Sequence, residues 1–309
     1  MTQPSFTHQP VLLSQVLAGL PPHPGWGLDC TLGGAGHAQA LLEAIPSLRL
    51  IGVDRDAQAL KAAQDRLAPF ASRVEFRHQA YAEAAQELAA KGVKLDWILA
   101  DLGVSSPQLD QADRGFSFMK PGPLDMRMDP SQGLSAQELL QQITQQELFF
   151  LLRDLGEEPF APKLSRAIKA QADHLFTTLD LARLVEESIP RKAWPKKIHP
   201  ATKTFQAIRM AVNDELGQLE RLLDQVPHLL NPGGRVLIIA FHSLEDRRVK
   251  QRFRQWEDPC TCSKEIPYCQ CGLKPQAKLL QKKPFVATEE ELEHNPRSRS
   301  ARLRIASWL

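Results

Sequence analysis

The chain has 309 residues, 43% hydrophobic and 24% charged, which is long enough for a sizeable core and too apolar for intrinsic disorder. No run of about 18 apolar residues exists, so a membrane-spanning helix is excluded. The formal net charge of +2 hides a split: Arg247 to Leu309 holds 14 Lys and Arg against 7 Asp and Glu, and the remainder 24 against 29, so a −5 body precedes a +7 end. That split fits a polyanionic partner or a solvated basic tail. Residues 1–9 are polar, without a charged-then-apolar leader, and the cysteines are clustered rather than spread. Both point to a cytoplasmic, reducing compartment.

In chain order, strand and helix patterns alternate over the first hundred residues. Trp26 to Leu32 is a short strand running into glycines, His37 to Ile45 a helix, and Leu48 to Asp54 a buried-type strand. Asp56 to Leu67 has a helical apolar stripe, followed by a strand at Val74 to His78, a helix at Tyr81 to Lys91 and a strand at Leu95 to Asp101. This alternation predicts a parallel, doubly wound α/β sheet with ligands at the carboxyl ends of its strands. The period then stops: residues 105–133 are rich in Pro, Gly, Asp and Ser. Ser135 with Glu138 forms a capping-box pattern, and helices follow at about Lys163 to Ala172 and Leu179 to Ser188. Pro190, Pro195 and Pro200 break up a linker holding Arg191, Lys192, Lys196 and Lys197 with no acid among them.

The α/β pattern resumes with an apolar stripe from Phe205 to Leu230, expected to break or kink at Pro227, and a stop signal at Asn231 to Gly234. Arg235 to Phe241 reads as a strand and Leu244 to Trp256 as a helix. Lys283 to Ala287 and Ala301 to Ala306 read as a closing pair of strands. The expected organisation is a discontinuous core, 1–105 and 200–309, interrupted by a helical substrate-recognition insertion at 106–199.

The residues suited to chemistry cluster at strand ends. The turn after the first strand, Asp29 to His37, brings backbone amides and a helix N-terminus toward a ligand. A G-x-G-x-x-G reading fails because the third glycine falls on Gln39, whereas a looser glycine loop suits S-adenosylmethionine. Asp54 ends the next strand, where a carboxylate accepts from both ribose hydroxyls. Tyr81 stands where a ring flanks an adenine or opens a helix onto the core. Asp101 ends the fourth strand as a ligand-facing acid or a helix cap.

Further along, Arg114 to Met119 and Asp125 to Asp129 mix cations, aromatics and methionines. This suits base stacking, and equally a loop folded back onto the core. Lys203, Gln206, Arg209 and Asn213 share a helix stripe of amides and cations, the face expected to read a nucleotide. His242 either orients a substrate or serves structurally. Cys260, Cys262, Cys269 and Cys271 form Cys-x-Cys pairs, unlike the Cys-x2-Cys of most zinc sites. The spacing favours free thiols over a metal site and leaves both open, and no metal ligand is assigned.

Several long motifs together resemble one family. These are Thr7 to Leu13, Gly33 to His37, Asp101 to Asp110, Arg114 to Phe118, Pro123 to Asp129, His199 to Thr202, Phe241 to Arg247 and Asn295 to Ala301. They are similar to the bacterial small-subunit ribosomal RNA cytosine-N4-methyltransferases, the MraW/RsmH family. The resemblance spans essentially the whole chain. It implies a class I methyltransferase core with a helical insertion, S-adenosylmethionine as donor, and a cytidine of the ribosomal decoding region as substrate. By motif position, Gly34, Ala35, Gly36, His37, Asp54, Tyr81, Asp101 and Gln108 would hold the cofactor. Tyr81 replaces the family's usual phenylalanine, and Ala35 stands where glycine is common. The Asp/Asn/Ser-Pro-Pro-Tyr/Phe motif of many amino-methyltransferases is replaced by Asp101-Leu102-Gly103-Val104, with Asp101 the candidate catalytic residue. No cysteine lies in that motif, which argues against carbon-5 chemistry. The expected partner is small-subunit ribosomal RNA or the small ribosomal subunit, with no membrane; monomer and homodimer stay open. A small-molecule methyltransferase and a non-catalytic S-adenosylmethionine-binding RNA chaperone are the alternative functions.

Overall fold

The computed structural model describes residues 10–263 and 268–309, so the leader reading over 1–9 and the first residues of the Thr7 motif lie outside the described residues. The described chain divides into an α/β unit, up to Gly103 and again over Gly217–Leu309, and a helical unit, Val104–Leu216. No helix among the described residues is long and apolar enough to cross a membrane.

The α/β unit runs α1 (Leu13–Gly19), β1 (Trp26–Asp29), α2 (Gly36–Ala44), β2 (Arg49–Asp54), α3 (Ala57–Arg66), β3 (Val74–His78), α4 (Tyr81–Ala90) and β4 (Leu95–Asp101). The helical unit supplies α5 (Ser106–Asp110), α6 (Ala136–Gln142), α7 (Gln145–Gly156), α8 (Ala161–Gln171), α9 (Thr178–Ser188) and α10 (Thr202–Val212). Then come α11 (Glu215–Leu229), β5 (Leu230–Ala240), α12 (Ser243–Glu257), β6 (Ala277–Leu279), α13 (Glu289–His294) and β7 (Arg302–Trp308). The strands form one seven-stranded sheet in the order β3-β2-β1-β4-β5-β7-β6. Pairing is parallel from β3 through β5 and antiparallel where β7 meets β5 and β6.

Strand alternation sorts the side chains into two cores. Ile98, Ala100, Val236 and Ile238 face α4, α11 and α12, while Trp97, Leu99, Leu237 and Ile239 face α1, α2 and α3. Trp97 is fully buried beside Gly27, where an added Cβ would lie 1.9 Å from the indole. Glycine there is a packing requirement.

Four elements differ from the sequence reading. The Phe205 to Leu230 stripe is two helices, broken where Asp214 takes the left-handed conformation at φ 47°. The first, α10, buries Phe205, Ala207 and Ile208 in the helical unit's own core, so that unit extends to Leu216 and does not close at residue 199. Pro227 does not break α11, which ends two residues later at Leu229. Asn231 to Gly234 is a bulge within β5, placed between the pairs Leu95–Leu230 and Trp97–Arg235. At the far edge the partner of β7 is β6, and Lys283 to Ala287 supplies only an isolated bridge from Phe285 to Leu303. Pro284 has no amide to donate, and Val286 is exposed.

The helical unit encloses the stretch without periodicity. Phe116, Leu124, Met126 and Met128 are buried with the helices. Arg114, itself buried, donates to the carbonyls of Arg127 and Met128 at 3.1 and 2.9 Å. Asn213 donates to the Met126 carbonyl at 2.7 Å and accepts from the Met128 amide at 2.8 Å. Replacing it with alanine orphans two buried backbone groups. We expect Asn213→Ala to cost about 2–4 kcal/mol in urea unfolding. Gln206→Ala, which loses only a long contact to the Met210 sulfur, costs under about 1 kcal/mol on the same measurement.

Candidate functional site

The chain order along the sheet reverses between β1 and β4, so the crevice beyond their carboxyl ends is a topological switch point. Three strand-end carboxylates meet this edge: Asp54 from β2, Asp29 from β1 and Asp101 from β4. Asp54 binds the glycine loop. Its Oδ2 accepts from the Gly33 amide at 2.7 Å and its Oδ1 from the Asp56 amide at 2.8 Å. Burial still raises its pKa against those two bonds. Each oxygen keeps a second lone pair for a ligand.

Asp29 accepts from the Thr31 amide at 3.2 Å. Burial pushes its pKa up to about 7, against the pull of His37 and the Thr31 amide, while Asp101 and Asp54 add repulsion. Asp101 is likewise pushed up to about 7 by burial and by the nearby Glu245. Its backbone amide donates to the Thr31 hydroxyl at 2.7 Å, which locks β4 to the loop after β1. Its side-chain Oδ1 is buried with no hydrogen-bond partner among the described residues.

His37, at the start of α2, is buried with Nε2 2.8 Å from the Val11 carbonyl. A carbonyl only accepts, so the proton sits on Nε2 and the Nδ1 lone pair faces Asp101 Oδ2 at 3.6 Å. Burial lowers the His37 pKa, which favours the neutral ring.

The loop geometry places the unusual alanine in a conformation that favours glycine. Gly33 and Ala35 both adopt the left-handed conformation, with φ 51° and 60°, and Ala35 caps α2. Glycine enters that region without strain, whereas alanine holds it while burying its methyl fully. A Cβ on Gly34 would meet nothing closer than an Arg66 nitrogen at 3.9 Å, leaving the loop's outer backbone open to a ligand. A cationic nucleoside with ribose hydroxyls fits this donor and acceptor set. Asp54 suits the hydroxyls, the open amides suit a carboxylate, and the underprovided Asp29 and Asp101 suit positive charge.

Tyr81 opens α4, just past the end of β3, and packs partly against the core. Gln108 belongs to the helical unit. There its Oε1 accepts from the Ser105 amide at 3.0 Å, closing the capping box of α5. His242 caps α12, and its Nε2 lies 3.1 Å from Glu245 Oε1.

The expected nucleotide-reading stripe is used internally. Lys203 donates to the Glu157 carbonyl, Arg209 grips Glu215 with two nitrogens at 2.8 and 2.9 Å, and Asn213 holds the Met126–Met128 backbone. The +7 end is also partly spent. Arg248 and Arg252 pair with Glu220, and Arg302 and Arg304 with Asp246. The basic linker is different: Arg191, Lys192, Lys196 and Lys197 are all exposed, and the Arg191 guanidinium stacks on Trp194 at 5.0 Å. Asp29 and Thr31 were the residues that motif reading left out. Their signal was position, since both lie at the β1 carboxyl end.

The family model described as the MraW methylase family matches residues 5–309. The chain is 50% identical to ribosomal RNA small subunit methyltransferase H of Anaeromyxobacter sp. (strain K), covering 98% of each chain. It is 48% identical to the protein of that name from Geobacter sulfurreducens, over 99% of this chain and 100% of that one. With the one from Nitratidesulfovibrio vulgaris (strain DP4) it shares 49%, over 99% and 97%.

Asp29 gives a pH test. A buried carboxyl with a raised pKa costs stability as pH rises from the unfolded value, near 4, to the folded one, about 7. Asparagine never ionises, so Asp29→Asn is expected to gain on wild type by about 2–3 kcal/mol between about pH 5 and pH 8. Chemical denaturation at the two pH values measures it.

Proposed function

The chain belongs to the MraW methylase family, and from that membership we propose that it methylates the N4 amino group of a cytidine in the decoding region of small-subunit ribosomal RNA. It is an S-adenosylmethionine-dependent methyltransferase with a class I α/β unit. The match over nearly the whole chain carries the substrate reading. The carboxylate edge supports the cofactor reading.

When bound, the cofactor supplies an electrophilic methyl group on a sulfonium centre. On this reading the Gly34–His37 loop and Asp54 hold it, Tyr81 flanks its base, and Asp101 faces its charge. Gln108 is carried as a cofactor contact on motif position alone. The exocyclic amine of cytosine is a weak nucleophile because its lone pair is delocalised into the ring. Positioning is therefore the main lever. Asp101 Oδ1, buried and without a hydrogen-bond partner among the described residues, is suited to accept from that amine and draw the lone pair back onto nitrogen. A pKa of about 7 leaves the carboxyl ready to take the proton at neutral pH.

The helical unit, Val104–Leu216, is the proposed substrate-recognition domain. Its exposed cations from Arg191 to Lys197 suit phosphates, and Trp194 among them suits a base or ribose face. Work on ribosomal RNA sets the place of action in the cytoplasm.

Radiolabelled methyl transfer to small ribosomal subunits from a strain lacking this gene tests the function. Label is expected at one cytidine N4; label in free metabolites alone, or binding without transfer, overturns it. In the same assay Asp101→Asn is expected to lower turnover by ~100-fold or more while still binding cofactor. Full turnover at normal cofactor affinity would remove Asp101 from the chemistry. Lys196→Glu with Lys197→Glu is expected to weaken RNA binding by ~10-fold and to flatten its salt dependence by about two units of slope. Cofactor affinity should not move.

A further inference from the structure

The four clustered cysteines are not among the strand-end groups of the candidate site. They sit on the loop between α12 and β6, residues 258–275. Its base is clamped: the Gln276 amide donates to the Trp256 carbonyl at 2.8 Å, and the Leu279 amide to Glu257 Oε1 at 3.2 Å. Beneath the base, Trp256 stacks on Phe253 and meets Trp308 edge-on. Above it the apolar support ends. None of the described residues from 258 to 276 is buried, and Tyr268 is 82% exposed. A loop of this length without a core of its own needs another source of order.

The sulfurs nevertheless converge. Those of Cys260, Cys262, Cys269 and Cys271 all lie within 4.8 Å of one another. Cys260 and Cys269 are 3.6 Å apart, Cys269 and Cys271 3.4 Å, Cys262 and Cys269 3.9 Å, and Cys260 and Cys271 3.9 Å. A zinc ion with ligand sulfurs at about 2.3 Å sets the tetrahedron edge at about 3.8 Å. The measured separations bracket that edge. They are much longer than a disulfide bond of about 2.05 Å. They are also too short for sulfurs spread around an iron–sulfur core of several atoms.

The backbone is arranged for thiolates. The Gln270 amide donates to Cys262 Sγ at 3.2 Å, the amides of Leu273 and Thr261 donate to Cys271, and the Cys262 amide donates to Cys260. Such donors spread the negative charge that four thiolates bring to one metal ion. We propose that Cys260, Cys262, Cys269 and Cys271 hold one zinc ion in a closed, all-thiolate tetrahedral site that ties residues 258–263 to residues 268–275. Four soft protein ligands select zinc and leave no coordination position for a substrate, so the site is structural. Read alone, the Cys-x-Cys spacing points to free thiols. The fold reverses that reading, because spacing constrains only the two members of a pair, and the site is built across pairs.

The full chain, freed of any affinity tag and purified under reductant without chelator, tests the proposal by elemental analysis after dialysis. About one zinc per chain is expected. In the Cys260→Ser, Cys271→Ser double variant it should fall by ~10-fold, with cofactor binding kept to show that the α/β unit is folded. Cys262→His preserves a four-ligand set and should retain the metal. Cobalt added to metal-stripped protein should give the strong visible absorption of tetrahedral thiolate cobalt. Wild-type protein that binds neither ion after loading overturns the proposal. So does an intact mass showing disulfides in reductant-free protein that never took up zinc, or zinc undiminished in the double variant. Should the double variant fail to fold, the metal content and cobalt spectrum of the wild type decide.

Discussion

Burying negative charge at the carboxyl edge of the sheet is the constraint from which the rest of this site follows. Asp54, Asp29 and Asp101 stand on neighbouring strands, and their supply of donors falls in that order. Among the described residues, Asp54 has two amides, Asp29 has one long contact, and Asp101 has an oxygen with none. The deficit is greatest at β4, on the switch-point side. An unmatched carboxylate is expensive in a dry setting, and either a proton or a cationic ligand relieves it. The left-handed loop from Gly33 to Ala35 belongs to the same arrangement, since Asp54 holds that loop by the Gly33 amide. The backbone strain and the electrostatic strain are thus both stored where a cofactor would be received.

The same logic separates what the residues reveal in one dimension from what they do not. Strands β1 to β4 and helices α2 to α4 were legible within a residue or two at most ends, because buried parallel strands and amphipathic helices each carry their own period. Asp54 and Asp101 were legible because the period ends on them, whereas the strand reading ran past Asp29 to Leu32. Polar residues whose partners are remote in sequence were not. Arg209 and Asn213 have the spacing of a reading face, yet their partners, Glu215 and the Met126–Met128 backbone, are met only through folding. The break at Asp214 was hidden by an apolar stripe that continues in phase across it. The cysteines show the reverse case, a pattern weak in spacing and compact in space.

Charge divides similarly. The counted excess toward the end of the chain is partly absorbed by Asp246 and Glu220, which bind arginines from β7 and α12. The exposed cations that remain available for phosphate contact include a short proline-bounded linker whose contribution to the overall count is small. Net charge is a sum over paired and unpaired groups, and only the unpaired ones act at a distance.

The helical unit is inserted between two strands that are hydrogen-bonded neighbours, β4 and β5, paired from Leu95–Leu230 to Asp101–Ile239. In equilibrium terms this is cheap, since each doubling of loop length costs only about 0.6 kcal/mol in closure entropy. In kinetic terms it is not neutral. Until β5 arrives, β4 offers Trp97, Ile98, Leu99 and Ala100 along an open, apolar strand edge. Such an edge is a template for pairing with another chain. The helical unit has a separate core and contacts close in sequence, the combination that collapses early. The speed with which the insertion compacts therefore sets how long the nascent sheet stays vulnerable to aggregation.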